Sequence, residues 1–235
     1  MEETVRILTY NVRSLRDDRA ALARVVHSCA PDVVCVQEAP RFFGWRRAAK
    51  EMAASFGLKV VAGGADASGN LLLAGPNIRV DDTKVLYLEH RRGLHLRGLA
   101  MAALTVGRSR FTVAGTHLSM NDDQRRYQAG EVLGHLEGFA ERNQTKSRVL
   151  CGDFNSYPGS VEWGTLTERL ADAWMVSPVG EEFTSTGKNP YQRLDAVFVS
   201  RDIYVVRAGV PTDLVTQADM VLATDHRPVL AVLRL

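Results

Sequence analysis

Apolar residues in this chain fall into short runs and helical stripes that alternate through its first quarter. Residues 5–12 read as a strand, and residues 18–29 as a helix with Asp17 or Asp18 as its N-cap and Pro31 marking its stop. Val33–Gln37 reads as a strand and residues 45–56 as a second helix. Strands are then predicted at 59–62 and 71–74 around a glycine-rich turn, Gly63 to Gly69, and at 85–88, 99–106 and 111–115. Gly107-Arg108-Ser109 is the turn of a hairpin. The longest helix is predicted over 122–141, where Ala129, Val132, Leu133, Leu136 and Phe139 recur at helical spacing behind a cap near Asp122. A strand at 147–151, a short helix at 160–170 and strands at 195–199, 204–210 and 229–235 complete the pattern. Many strands with two separated helical groups, and neither a low-complexity linker nor an internal repeat, predict one domain of two packed sheets flanked by helices.

The polar residues that matter sit where the apolar runs stop. Ser147 to Cys151 ends at Gly152-Asp153-Phe154-Asn155, and period-two alternation puts Asp153 and Asn155 on one side of the backbone with Phe154 turned away. Four other segments share this form. The first strand leads to Asn11, the second to Gln37-Glu38, the Phe111 strand to Thr116-His117-Leu118, and Ala223-Thr224 to Asp225-His226. A sixth differs, because Arg193-Leu194-Asp195 opens a strand rather than closing one. Each segment has an ordinary structural reading as a turn, a cap or a strand-end acid facing solvent. Their convergence in one chain is what suggests chemistry.

The order Tyr-Asn, Gln-Glu, Thr-His-Leu, Gly-Asp-Phe-Asn, Arg-Leu-Asp, Asp-His resembles the endonuclease/exonuclease/phosphatase family, the superfamily of deoxyribonuclease I, over residues 9–227. The resemblance implies an α+β fold, a four-layer α/β/β/α sandwich of two mainly antiparallel sheets, with the active site where strand-end loops converge. It implies hydrolysis of a phosphate ester with Mg²⁺, or Mn²⁺, as cofactor. A hard divalent cation takes oxygen ligands and neutralises phosphate. Glu38 is the leading metal-ligand candidate, a carboxylate placed after a fully apolar strand, with Asn11 and Asp225 beside it. Asp153 is the candidate general base and Asn155 a holder of a phosphate oxygen. His226 would contact phosphate while Asp195 orients its ring. His117 would clamp the phosphate or protonate the leaving oxygen, and places the chain with the histidine-containing branches of the family. No acidic partner for it is evident. Four further residues are assigned to substrate: Arg41, Asn70 (which would orient His117), Arg125 (with Gln128, bracing the site) and Thr184, followed by Ser185.

Composition narrows the substrate without choosing it. The 235 residues fit one large domain or two small ones, and 46% hydrophobic content suffices for a sizeable core. A formal charge of +2 excludes a protein coated in basic residues for nucleic acid. Basic residues gather at Arg41, Arg46, Arg47 and Lys50, and at His90, Arg91, Arg92, His95 and Arg97. Either group could rim a site and draw in a polyanion, and each reads equally as a solvated face. Three cysteines without metal spacing, no apolar signal region and no membrane-spanning run give the expectation of a cytoplasmic protein. Its expected partner is a phosphate-ester substrate, with nucleic acid among the alternatives; the oligomeric state is open, and a monomer is compatible with the pattern.

Overall fold

The computed structural model describes residues 3–235. In chain order its strands are β1 (Thr4–Asn11), β2 (Val33–Gln37), β3 (Lys59–Gly64), β4 (Asn70–Ala74), β5 (Ile78–Tyr87), β6 (Gly98–Val106), β7 (Ser109–His117), β8 (Ser147–Asp153), β9 (Ala171–Asp172), β10 (Asp195–Val199), β11 (Tyr204–Gly209) and β12 (Val229–Arg234). The helices are α1 (Arg19–Cys29), α2 (Trp45–Ser55), α3 (Asp122–Arg142), α4 (Val161–Arg169), α5 (Ala173–Val176) and α6 (Gln217–Ala223). Two six-stranded sheets form, in the orders β11-β12-β1-β2-β4-β3 and β5-β6-β7-β8-β10-β9. Each is mixed: β1/β2 and β7/β8 are parallel and the other pairs antiparallel.

Strand alternation builds the layers. In β2, Val33 and Cys35 enter the core between the sheets, and Val34 and Val36 meet Leu22, Val25 and Met52 of the helices outside. In β8, Val149 and Cys151 face inward while Leu150 packs with Val132, Leu136 and Trp163 on the other outer face. Both faces of these strands are buried, which is why they read as continuous apolar runs. The result is the helix–sheet–sheet–helix sandwich expected. No helix among the described residues is long and apolar enough to cross a membrane.

The boundaries depart from expectation in instructive places. β5 begins at Ile78, seven residues before the predicted strand, because Arg79, Asp81, Asp82 and Lys84 hide an exposed edge strand. The cap of α3 is Asn121, whose side chain accepts from the Gln124 amide, rather than Asp122. Helix α6 escaped the pattern because it is a short element; Thr216 caps it.

Topology then brings the chemistry together. Parallel pairing sends β1 with β2, and β7 with β8, to the same end of their sheets. Asn11 is in register with Gln37, and His117 with Asp153. Because β10 runs antiparallel to β8, its first residue, Asp195, lies opposite the last of β8, Asp153. This is why that acid opens a strand. Likewise β12 runs antiparallel to β1, so the turn carrying His226 reaches the Asn11 end.

Gly152 shows how tightly this end is built. A methyl group there would lie 2.2 Å from the Thr116 carbonyl oxygen of the next strand. Gly152→Ala is expected to push β7 and β8 apart and to destabilise the fold by about 1–3 kcal/mol, read by urea unfolding. Gly130→Ala is the control, on an open face of α3 where nothing lies within 4 Å. It should stabilise by roughly 0.5–1 kcal/mol. Equal effects from the two substitutions would contradict this account of Gly152.

Candidate active site

Asp153 is at the centre, and is 1% exposed. Its Oδ1 accepts the Asn155 backbone N–H at 3.0 Å, and its Oδ2 accepts from Asn11 Nδ2 at 3.1 Å. His117 Nε2 and His226 Nε2 lie 3.4 and 3.8 Å from that same Oδ2. Asn155 is in the left-handed region, φ 46°, which turns the chain so that its amide folds back over β8. Glu38 stands likewise at φ 54° after β2 and lines the same cleft, an opening of about 550 Å³ between the two sheets' ends.

The asparagine amides fix their neighbours' states. Asn155 Nδ2 is 2.9 Å from the Leu118 carbonyl oxygen and 2.9 Å from His117 Nε2. A carbonyl only accepts, so this atom is the NH₂ group, and His117 Nε2 must accept as well. His117 therefore carries its proton on Nδ1 and is neutral. Burial drives its pKa from 6.5 down to about 3; Asp153 opposes that shift, and Arg97 and His226 add to it. His226 is the opposite case. Burial alone would lower its pKa, but the charge and hydrogen bond of Asp195, with Asp153 and Asp225, outweigh burial and hold it up to about 10. The bond from His226 Nδ1 to Asp195 Oδ2 is 2.8 Å. One histidine is thus a neutral base and the other an imidazolium, within one cleft.

Several residues sit where sequence reasoning did not place them. Asn11 Oδ1 accepts the Arg13 amide at 3.1 Å, and its Nδ2 bridges Glu38 Oε1 and Asp153 Oδ2, each at 3.1 Å. It ties two carboxylates together rather than offering an oxygen to a cation. Asp225 turns outward, 46% exposed, with Oδ2 3.2 Å from Arg13 Nε. Asn70 is buried and donates to the Ala67 and Gly98 carbonyls, each at 2.9 Å, so it braces β6 and neither orients His117 by a hydrogen bond nor meets substrate. Arg125 is also buried. It bonds Glu162, Asp122 and the Ser119 and Met120 carbonyls, while Gln128 accepts the Ser119 amide. That pair secures the loop after His117 and does not reach the cleft. Thr184 is wholly buried, its hydroxyl accepting two backbone amides; of this pair it is Ser185 that lines the cleft.

Arg41 lines the cleft, with Nη1 3.0 Å from Ser68 Oγ. Arg97 faces the same space and was legible only as one member of a basic cluster. Its position immediately before β6 was the available signal. Burial lowers its pKa, opposed by Asp153 and Glu38, and its Nε has no hydrogen-bond partner among the described residues. Its guanidinium thus brings positive charge near Glu38 and Asp153. Phe42 and Met120 stand at the rim, 77% and 74% exposed, one from each sheet's loops.

The donor set fits a hard divalent cation. Asp153, Asp195 and His226 each place a ligand atom within 4.8 Å of the others. Asp195 and His226 are bonded to each other, which leaves Glu38 and Asp153 as the carboxylates facing the cleft. Carboxylate oxygens at an open site suit Mg²⁺ or Mn²⁺ rather than a thiophilic metal.

The model of the Endonuclease/Exonuclease/phosphatase family matches residues 8–226. Among solved structures, an endonuclease/exonuclease/phosphatase from Bacteroides vulgatus superposes with a TM-score of 0.82 at 19% identity, covering 99% of each chain. A mannosyl-6-phosphatase from Bacteroides thetaiotaomicron gives 0.81 at 17% identity, covering 97% of this chain and 99% of that one. Truncated TDP2 from Caenorhabditis elegans gives 0.75 at 17%, covering 99% and 98%. At these identities the likeness concerns the fold. No curated protein matches the chain in sequence.

The histidine states generate a prediction for the metal-free protein. In NMR titrations, His117 should remain neutral down to about pH 4, and His226 should remain charged at pH 8 and titrate near 10. A pKa raised above the unfolded value contributes stability that is present below about pH 6.5 and lost as pH rises towards 10. Asp195→Asn should move the His226 titration back towards 6.5 and remove that dependence. Identical midpoints for the two histidines would refute the assignment.

Proposed function

Because the chain belongs to the Endonuclease/Exonuclease/phosphatase family, and is on that ground a phosphoesterase hydrolase, we propose that it is a Mg²⁺-dependent, nuclease-like phosphodiesterase acting by direct attack of water. The observation that carries this reading is a buried carboxylate, Asp153, set between a neutral histidine and a cationic one. That arrangement supplies a proton acceptor and a phosphate-binding cation within one ångström-scale geometry.

Asp153 orients the attacking water and takes one of its protons as the new P–O bond forms; the P–O bond to the ester's leaving oxygen breaks in the same step, and that oxygen takes its proton from solvent. His226 holds its proton on Nδ1 against Asp195 and directs its Nε2–H at a non-bridging phosphate oxygen. His117, with Nε2 turned to Asn155, supplies no proton from that nitrogen; it and Asn155 form the wall against which the phosphate rests. Glu38, with Asp153, would hold the cation. When bound, the cation neutralises phosphate charge and stabilises charge developing in the transition state. Arg41 and Arg97 add positive charge at the rim.

The rim also bears on the substrate. Phe42 and Met120 offer apolar faces in a cleft lined by the guanidinium groups of Arg16, Arg41 and Arg97, a combination suited to a phosphodiester that carries nucleobases. The small net charge of +2 favours the alternative, a compact phosphomonoester or small-molecule phosphodiester such as a nucleotide, phosphoinositide or phospholipid headgroup. Three free, buried cysteines accord with a reducing, cytoplasmic setting.

Hydrolysis should be assayed with plasmid DNA, single-stranded RNA and DNA, bis-p-nitrophenyl phosphate, nucleotides, inositol phosphates and sphingomyelin, under Mg²⁺, Mn²⁺ or EDTA. The expected result is metal-dependent cleavage of polynucleotide. It should fall roughly 10²–10⁴-fold in Asp153→Asn and in His226→Ala. Activity confined to a small ester would replace the nuclease reading with the compact-substrate one. Wild-type rates in both variants would overturn the mechanism.

A further inference from the structure

We propose that Thr184 is a positioning residue for this site, setting Asp195, and through it His226, in place. The inference rests on the phosphoesterase reading above for its consequence, but on backbone geometry for its content.

Strand β10 lacks a neighbour on one side where it matters. β9 pairs with it only at Phe198 and Val199, at the end away from the cleft. At the cleft end, β10 is paired on its other side, with Asp195 opposite Asp153 and the Phe154 amide donating to the Leu194 carbonyl at 2.8 Å. The Leu194 and Asp195 amides would then face a gap beside a buried carboxylate, where an unpaired N–H is costly. The Thr184 hydroxyl fills it, accepting both amides at 3.1 Å. A hydroxyl oxygen has two acceptor lone pairs, and each takes one donor.

The same residue also binds the other half of the pair. The Thr184 carbonyl accepts the Arg227 amide at 2.8 Å, directly after His226. Its own N–H donates to the Gln192 carbonyl at 2.8 Å, and Ser185 forms an isolated antiparallel bridge with His226. Thr184 therefore spans from the start of β10 to the His226 turn, in place of a missing strand. Asp195 and His226 meet at 2.8 Å because both are referred to this one residue. Being 0% exposed, it acts through these groups and not by touching substrate.

The side-chain oxygen is the part that can be tested. Thr184→Val keeps the shape and removes the acceptor, and Thr184→Ser keeps the acceptor. Thr184→Ala serves if the valine variant does not fold, as judged by circular dichroism. Thr184→Val should lower kcat about 10- to 100-fold with KM changed less than about threefold, since the loss is one of catalytic alignment. Thr184→Ser should stay within about threefold of wild type. In an Asp195→Asn background the valine substitution should cost little more, because both changes act on one alignment. Independently of any substrate, hydrogen exchange at the Leu194 and Asp195 amides should be slow in wild type and Thr184→Ser and fast in Thr184→Val. The proposal is overturned if a folded valine or alanine variant keeps wild-type kcat and amide protection, if serine loses as much as valine, or if the valine and Asp195→Asn losses multiply independently. A wild-type protein that hydrolyses no phosphate ester would remove the functional reading, and amide protection would still decide the role of Thr184.

Discussion

A carboxylate buried at the seam between two sheets imposes most of what is seen at this end of the molecule. Asp153 is almost wholly removed from water, and an ionised group so placed must be surrounded by donors and positive charge. The fold supplies these from four directions. The Asn155 amide caps one oxygen, Asn11 reaches across from the other sheet to the second, and two imidazoles stand beside it. None of these partners comes from the ladder hydrogen bonds of β8 itself. The Asn155 contact is local to the turn after β8, but the others come from β7, from the turn before β12 and, through Asn11, from the other sheet, so the charge is fully satisfied only when both sheets are packed. The chemistry is in this sense a product of tertiary structure.

The two histidines show how carboxylate partners can reverse the protonation state that burial dictates. Both rings are largely enclosed, and enclosure by itself disfavours the cation in each. His226 has Asp195 against Nδ1, so its charge is balanced in place. His117 meets an amide NH₂ at Nε2, which only a neutral ring can accept. Asp153 lies near both and does not discriminate between them. The distinction is made by Asp195, which is paired with His226 alone, while Asn155 keeps His117 Nε2 an acceptor. A phosphate entering between these rings would meet a donor on one side and a pre-oriented wall on the other, with little rearrangement needed.

How much of this the sequence disclosed follows from the range of each interaction. Strands buried on both faces, such as Val33–Gln37, and the periodic stripe of α3 are local patterns and were readable. The edge strand β5 was not, since its exposed charges break the alternation. The strand-end residues Glu38, His117, Asp153, Asn155, Asp195 and His226 were legible as a set, and the structure gathers them at one cleft. Their mutual orientation was not legible. Asp225 looks equivalent to its neighbour His226 in sequence, yet adjacent residues in an extended turn point apart, and Arg13 takes the acid outward. Arg97 carried no local signal beyond its charge and its place just before β6, because what distinguishes it is a cleft formed by segments far away in the chain.

The residues reassigned from substrate to scaffold share one physical property. Asn70, Arg125 and Thr184 are all buried, and each directs its side chain at backbone groups of a loop or strand end. A sandwich whose site is made of strand ends has many backbone groups there that the sheets no longer pair. Polar side chains at those positions satisfy them, and the same requirement that makes such residues recur near a site keeps them out of contact with its ligand. A polar residue beside a strand-end motif therefore splits into two kinds by its accessibility. Arg41 and Arg97, which line the cleft, are available to an anion; Arg125, with its guanidinium bonded to carbonyls and carboxylates, is not. The cleft is lined by three guanidinium groups, those of Arg16, Arg41 and Arg97, far fewer cations than the sequence offers, and Phe42 lines it with them.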